Sequence, residues 1–270
     1  MSSIATNINA SRAEHAMTDA TQLVEKSTMQ LATGRRINSA SDDTAGMAIG
    51  SKLTAQSISL QRAMRNANEG VSMLQTADSA AGSMAQALVR MREIAVQAAS
   101  DTYSDLDRLA LDNEFAQLRE HISAAIDSTQ WNGKKMLDGS MSNVNLQIGA
   151  SSGDGHSVDM ADFRSLSALN AAGIGNRSDA LSALDAIDSS LASIDEARVK
   201  WGANMNRLVH AGDVSSNVSL NLDDSRSKII DADYAKATAD LAKAQILQMA
   251  GKAMLSQANQ APVTVLRLLR

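Results

Sequence analysis

The sequence predicts an all-α fold, an elongated rod of antiparallel coiled-coil and bundled helices with one small β-hairpin. Only 2% of the 270 residues are aromatic although 44% are apolar, and this composition suits close-packed helices better than a core filled by large rings. Pro262 is the single proline, and because proline breaks helix interiors, its rarity permits very long helices. Apolar residues also recur at alternating steps of three and four, which is the period of coiled-coil helices.

Two such repeats lie at opposite ends of the chain. The C-terminal repeat, within residues 231–262, consists of Tyr234, Ala237, Leu241, Ala244, Gln248, Gly251, Leu255 and Ala258. The N-terminal repeat, within residues 2–33, consists of Ala10, Ala13, Met17, Ala20, Val24, Ser27 and Leu31. We expect the two terminal helices to pair through these repeats, with six residues at the centre of the contact: Met17, Val24, Leu31, Leu241, Ala244 and Leu255.

The last helix carries a second apolar repeat beside the first, through Leu247, Ala250 and Met254. A single partner helix covers only one of the two repeats, which leaves an apolar stripe in water. Other copies of the molecule would cover this stripe. The pattern therefore predicts an assembly subunit, with Leu247 and Met254 in contacts between subunits.

Between the termini, Gly34 is a helix stop signal and the segment that follows it is rich in Asn, Ser and Asp, which favour turns and helix caps. We expect a bent connector over residues 35–56, with a short helix from about Thr44. Asp231 and Asp233 mark a second connector opposite the first. The predicted central helices cover residues 57–99, residues 104–129 and a long run from about residue 178. The first of these carries two apolar repeats and should have two helical neighbours.

The segment between the central helices has a different pattern. Asn132-Gly133 is a turn signal. Val144, Leu146 and Ile148 alternate with polar residues, as do Val158 and Met160, and the glycine-containing residues 151–155 lie between these two runs. Alternation of this kind around a turn predicts a small β-hairpin.

Composition and motifs argue against several classes of protein. The chain has no cysteine, so disulfides and thiolate metal sites are excluded. No run approaches eighteen apolar residues, so we expect no membrane span, and the N-terminus lacks the pattern of a standard secretory signal. The mild net charge of −5 argues against nucleic acid as a partner. The four histidines are scattered, without a zinc or phosphate-binding motif, so we expect no enzyme activity, metal or cofactor.

Two long runs resemble the signatures of bacterial flagellins. The first is LATGRRINSASDDTAGMAI, residues 31–49, and the second is AQILQMAGKAMLSQANQAP, residues 244–262, followed by the closing VLRLLR. Each resembles the flagellin signature of its own end of the chain, and they stand in the right order. The resemblance extends over about residues 2–140 and 178–270.

The resemblance implies a structural subunit that polymerises into the flagellar filament used for swimming, secreted and extracellular. It implies an inner-core coiled coil of residues 1–45 and 230–270, an outer-core bundle of residues 46–138 and 177–229, and a short variable hairpin region, residues 139–176, without large outer domains. The implied partners are further copies of the chain, a flagellin export chaperone, the flagellar type III export apparatus, and the filament cap and hook-associated proteins.

The segment VRMREIAVQ, residues 89–97, resembles the flagellin stretch sensed by Toll-like receptor 5. The residues that match this epitope are Arg90, Ile94 and, on the next helix, Glu114. The resemblance also implies that Arg90, Arg92 and Glu93 lie in contacts between subunits, since it places the receptor epitope on a surface used for assembly.

Two alternatives remain open on the sequence alone. A hook–filament junction protein shares related terminal helices, but the intact signatures at both ends favour a flagellin. An intracellular coiled-coil scaffold would share the helical repeats without forming a tube. Whether serines such as Ser151, Ser152 or Ser165 carry glycans also stays open.

Overall fold

The structure, a computed structural model, describes residues 6–170 and 173–268. For residue 167 and residues 262–268 it describes the backbone only. Over these residues it contains six helices and two small antiparallel strand pairs. The helices are α1 Ile8–Thr33, α2 Thr44–Ala98, α3 Asp105–Ser128, α4 Ser167–Asn170, α5 Arg177–Ile230 and α6 Tyr234–Leu268. The strands are β1 Gln130–Trp131, β2 Lys134–Lys135, β3 Asn143–Gln147 and β4 Gly155–Asp159. The predicted helical fold class is confirmed.

Short polar side chains begin each of the long helices. Asn7, Asp43, Asn176 and Asp233 each accept a hydrogen bond from a backbone N–H two or three residues further on, and Ser104 forms a reciprocal capping box with Asp107. The first N–H groups of a helix have no partner inside it, so these bonds replace water. In the two predicted connectors, Asp43 therefore caps the start of α2 and Asp233 caps the start of α6.

The connector prediction was wrong in one respect. Residues 44–56 are not a separate short helix, because α2 runs without a break from Thr44 to Ala98. Nothing at the expected junction, Gln56-Ser57, stops a helix. Gln is a good helix former, and Ser57 is buried with its hydroxyl 3.1 Å from that of Ser219 on α5.

The sequence predicts a last helix-forming run over residues 231–262, but α6 continues past Pro262 to Leu268. Proline removes one helical N–H donor, so the carbonyl four residues earlier, that of Ala258, loses its usual partner. The side-chain amide of Asn7 donates to that carbonyl instead, at 2.8 Å.

Contacts divide the chain into two compact units. The terminal unit comprises Met1–Gln56 and Asn221–Arg270, and the central unit comprises Ser57–Leu220. Each therefore draws its residues from α2 and α5 as well as from the elements wholly inside it. The predicted division near residues 45 and 230 concerns layers of an assembly, and it stays a prediction.

The core of the central unit lies between α2, α3 and α5. Both predicted repeats of α2 contribute to it, for example Leu74 and Leu88 from one and Met84 and Met91 from the other, all fully buried. The pair β3–β4 is the predicted hairpin, with Val144 opposite Val158. A second, smaller pair, β1–β2, turns at Asn132-Gly133, where both residues have positive φ.

Candidate assembly interface

The two ends of the chain form an antiparallel helix pair inside the terminal unit. Four contacts fix its direction. Asn7 donates to the carbonyl of Ala258, Gln248 donates to the hydroxyl of Thr21 at 3.2 Å, and the Tyr234 hydroxyl donates to the carbonyl of Leu31 at 2.9 Å. Between the first two, a Cβ placed at Gly251 would lie 3.4 Å from the Cβ of Met17. Rising numbers on α1 thus meet falling numbers on α6.

The centre of this pair is lined by small residues. Ala20, Ser27, Ala237 and Ala244 are its most buried members, and their size allows the two backbones to approach closely. The structure places the six residues expected at the contact on the facing sides of α1 and α6. Ala244 is buried, and Met17, Val24, Leu31, Leu241 and Leu255 are half-buried.

A short backbone bridge joins the two connectors at one end of the pair. The N–H of Arg36 donates to the carbonyl of Ile230 at 2.6 Å, and the N–H of Ala232 donates to that of Gly34 at 2.9 Å. Gly34 makes this possible because its φ of +68° ends α1 in a left-handed conformation. The predicted position of the second connector, opposite the first, is confirmed.

Beside its buried seam the helix pair carries an open apolar groove of about 840 Å³. Residues of α1 such as Ala13, Ala16 and Leu23 form one wall, and Leu247, Ala250 and Met254 form the other. Leu247 is 47% exposed and Met254 is 63% exposed. Both residues expected in subunit contacts are therefore accessible in the single chain.

A further apolar stripe on α6 was not recognised in the sequence. Ile246 and Met249 are each more than 60% exposed, and neither lines the groove. The three-residue step between them, continued by Ala242 and Ala253, is the signal that could have revealed this stripe. More of α6 therefore lacks an apolar partner than the second repeat alone indicated.

The charged residues of the segment that resembles the receptor epitope lie in the central unit, and each forms ion pairs within the chain. Arg90 bonds Glu114 on α3 at 2.8 Å and Glu93 at 2.9 Å, and Arg92 bonds Asp188 on α5 at 2.8 Å. Two arginines of α2 thus connect it to a helix on either side. Hydrogen bonding to Glu114 raises the pKa of Arg90, and hydrogen bonding to Asp188 raises that of Arg92.

Ile94 differs from its charged neighbours because it is 1% exposed. Its side chain belongs to the core of the central unit and offers no surface for direct contact with a receptor. Arg90 and Glu114 remain exposed and could be reached. A change at Ile94 would therefore act through packing, and the epitope of Arg90, Ile94 and Glu114 stays a prediction.

Several carboxylates of the central unit have lowered pKa values, and we therefore expect this unit to lose stability in acid. Hydrogen bonds from Lys135 and Arg164 lower the pKa of Asp127, and one from Arg92 lowers that of Asp188. A folded-state pKa below the unfolded value contributes stability above the ordinary carboxyl pKa, and this is lost as pH falls through the lowered pKa. We expect the melting temperature of depolymerised protein to fall as the pH drops from about 5 to about 2.

Asp188→Asn should flatten this acid dependence, because Arg92 then loses the carboxylate that titrates. Asp185→Asn, on the same helix but without the bond to Arg92, is the matched control. Circular dichroism melts of the three proteins across the pH range provide the measurement. Equal pH dependence in wild type and Asp188→Asn would contradict the assignment.

Within residues 6–170 and 173–268, no group of three or more His, Cys, Asp or Glu side chains is placed to hold a metal ion. None of the described helices combines the length and apolar character needed to cross a bilayer.

Comparison with known proteins gives two family matches. The model for the bacterial flagellin N-terminal helical region matches residues 4–142, and the model for the C-terminal helical region matches residues 184–269. Flagellin of Halalkalibacterium halodurans is 43% identical over 249 residues, which cover 91% of this chain and 92% of that protein. The two proteins are therefore similar in length, and neither has room for large outer domains.

Two solved structures resemble the fold. The crystal structure of Bacillus cereus flagellin matches with a TM-score of 0.53 and 30% identity over 56% of this chain and 88% of its own. A Vibrio parahaemolyticus protein assigned as flagellar hook-associated matches with a TM-score of 0.62 over 70% of this chain and 100% of its own, but at 17% identity. The second match shows a shared fold only. With both family regions matched and 43% identity to a flagellin of similar length, this chain belongs to the bacterial flagellin family.

Proposed function

We infer that this chain is the structural subunit of a bacterial flagellar filament and acts by helical polymerisation. The observation that carries the proposal is the groove of the terminal helix pair, which leaves Leu247 and Met254 open to water in a member of the flagellin family. Exposed contiguous apolar surface of this kind marks a contact site. A neighbouring subunit of the same sequence is the occupant that a filament supplies.

The geometry of such an assembly follows from the use of different surfaces on each copy. When one face of a subunit meets a different face of the next and the rotation does not close, the result is an open helical polymer. Each Leu or Met that becomes fully buried contributes about 1.5–3 kcal/mol. Several such side chains per subunit must offset the lost freedom of association, which costs at least about 4 kcal/mol.

Deleting the gene from its bacterium should remove filaments and swimming, and restoring the gene should return both. Immunogold labelling against the chain should then decorate filaments along their whole length. Labelling confined to the base would favour the junction-protein alternative. Retention inside the cell, with filaments unaffected, would favour the scaffold alternative.

We expect α1 and α6 to be disordered in the monomer. Long helices owe most of their stability to packing, and here the shared seam is built from small residues while Ile246, Leu247, Met249 and Met254 lack cover within the chain. Hydrogen exchange on verified monomer should show weak protection over residues 8–33 and 234–260 and strong protection in the buried parts of α2 and α5. Strong protection of the termini in monomer would contradict this expectation.

Such exposed termini would need a partner before export. We propose that a flagellin export chaperone binds the C-terminal region as amphipathic helices in grooves, with Leu241, Leu247, Met254 and Leu255 as anchors. The type III export apparatus would then deliver the subunit out of the cell, where cap and hook-associated proteins receive it. Removal of residues 231–270 should abolish chaperone binding in a pull-down, and unchanged binding would place the chaperone site elsewhere.

Three finer assignments belong to the same proposal. Residues 1–45 with 230–270 would form the inner layer of the filament, residues 46–138 with 177–229 the outer layer, and residues 139–176 a short external region. Arg90, Arg92 and Glu93 would contact neighbouring subunits, either in place of their ion pairs within the chain or in addition to them.

Toll-like receptor 5 would bind the surface that carries Arg90 and Glu114. Glu114→Ala should therefore weaken activation of receptor-expressing reporter cells.

A further inference from the structure

Asn7 uses both polar atoms of its side-chain amide, one in a bond within α1 and the other in a bond to α6 at the far end of the chain. Its oxygen accepts from the N–H of Ala10 at 3.1 Å, which caps α1. Its nitrogen donates to the carbonyl of Ala258 on α6 at 2.8 Å, across 251 residues of sequence. A cap needs only the oxygen, so the second bond requires a separate explanation.

Pro262 provides that explanation. In an α-helix the carbonyl of Ala258 would accept from the N–H of residue 262, but proline has no amide hydrogen. The helix nevertheless continues through this position to Leu268. The site is partly buried, and a carbonyl left without a donor there is costly. The Asn7 amide supplies the missing N–H from the partner helix.

We propose that Asn7, Ala258 and Pro262 form a register lock, in which the proline frees one carbonyl of α6 and the amide of Asn7 binds it. The seam needs such a device because small residues such as Ala20 and Ala244 interdigitate little and resist sliding weakly. Among neighbouring carbonyls of α6, the one that loses its helical donor is the natural acceptor. A shift of one turn would leave it unpaired and would place Asn7 against a carbonyl that is already bonded.

The lock lies next to the apolar groove, so it would influence assembly. This part of the proposal rests on the filament function proposed above. Ala258 and Ala261 of α6 and Asn9 of α1 line the end of the apolar groove next to the lock. Because the two walls of the groove come from different ends of the chain, their alignment depends on the register of the pair. Asn7 is therefore a positioning residue for the surface that a neighbouring subunit would meet.

A double-mutant cycle between the two locked positions tests the proposal. Asn7→Asp keeps an oxygen to cap α1 but cannot donate, whereas Pro262→Ala returns an N–H to the carbonyl of Ala258. Asn7→Ser, which also caps but is too short to reach α6, separates loss of the donor from the added charge. The assembly measurement is the critical concentration for polymerisation of the full-length chain.

A second measurement reports register without requiring filaments, because it counts the transient encounters of α1 and α6 in the monomer. The chain has no cysteine, and the 3.4 Å separation of Cβ positions at Met17 and Gly251 is near that of a disulfide. The rate of disulfide formation in Met17→Cys/Gly251→Cys, in each Asn7 and Pro262 background, therefore measures how often the pair is in register. The same measurement with Met17→Cys/Ala244→Cys, two helical turns from Gly251 on the seam that faces α1, reports out-of-register collisions.

We expect Asn7→Asp and Asn7→Ser each to raise the critical concentration at least about five-fold, the scale of one lost buried partner, and to slow the in-register disulfide. In the Pro262→Ala background both substitutions should change each quantity by less than about two-fold. Equal damage in both backgrounds, or damage by Asp without damage by Ser, would overturn the lock. If wild type forms no filaments, the proposed function fails, and the disulfide rates alone then decide the lock.

Discussion

Met254→Asp should give a soluble, exported subunit that cannot form filaments. Met254 lies on the open wall of the groove at 63% exposure, so the carboxylate is tolerated in the single chain. In a filament the same position would be covered by a neighbour. An ionised group buried without a partner costs several kcal/mol or becomes neutral through a raised pKa, and the penalty recurs in every subunit.

Gln245→Asp is the matched control for this substitution. Gln245 is exposed on the opposite side of α6, and the change adds the same single negative charge to the same helix. The control should polymerise at neutral pH, and both variants should keep the thermal melting transition of the central unit. Ordinary filaments from Met254→Asp, seen by electron microscopy at neutral pH, would show that the groove does not face a neighbouring subunit.

Trp201→Ala should lower the free energy of unfolding of the central unit by about 3–5 kcal/mol, the usual cost of removing a buried aromatic side chain. Trp201 is 1% exposed, and its indole N–H donates to the carbonyl of Asp159 at 3.2 Å, at the end of β4. Its ring also meets that of Phe163 edge to face, with centroids 6.0 Å apart. The substitution would therefore loosen the hairpin from α5 as well as leave a cavity.

Trp131→Ala is the natural comparison, since these are the two tryptophans of the chain and Trp131 is only partly buried. We expect its cost to be less than half that of Trp201→Ala, because less apolar area returns to water. Urea unfolding of depolymerised protein, followed by circular dichroism, measures both. A loss below about 1 kcal/mol for Trp201→Ala would mean that the core repacks around the gap.

The periodic parts of the fold could be predicted because burial follows helical spacing. The predicted repeats of α2 supply fully buried residues such as Leu74 and Met84, and Phe115 and Ile122, seven residues apart on α3, are buried as well. The hairpin followed from alternation around a glycine-containing turn, and Val144 indeed lies opposite Val158. In each case a local pattern carries the information.

The missed features depend on contacts between distant parts of the chain. The continuation of α6 past Pro262 involves a donor 251 residues away, and the bond between Arg92 and Asp188 joins helices that local periodicity cannot align. The arginines were expected to contact neighbouring subunits because of the family resemblance, and nothing in their local sequence identifies their partners within the chain. The exposed stripe of Ile246 and Met249 is different, because its spacing along α6 could have revealed it.

Electron microscopy of the purified chain under polymerising conditions tests the central claim most directly. The account predicts unbranched tubes of uniform diameter, because identical contacts repeat in every subunit of an open helical polymer. The wild-type chain should form them without any other protein once short filament fragments are added as seeds. Monomers, closed rings or irregular aggregates under these conditions would contradict the assignment of this chain as a filament subunit.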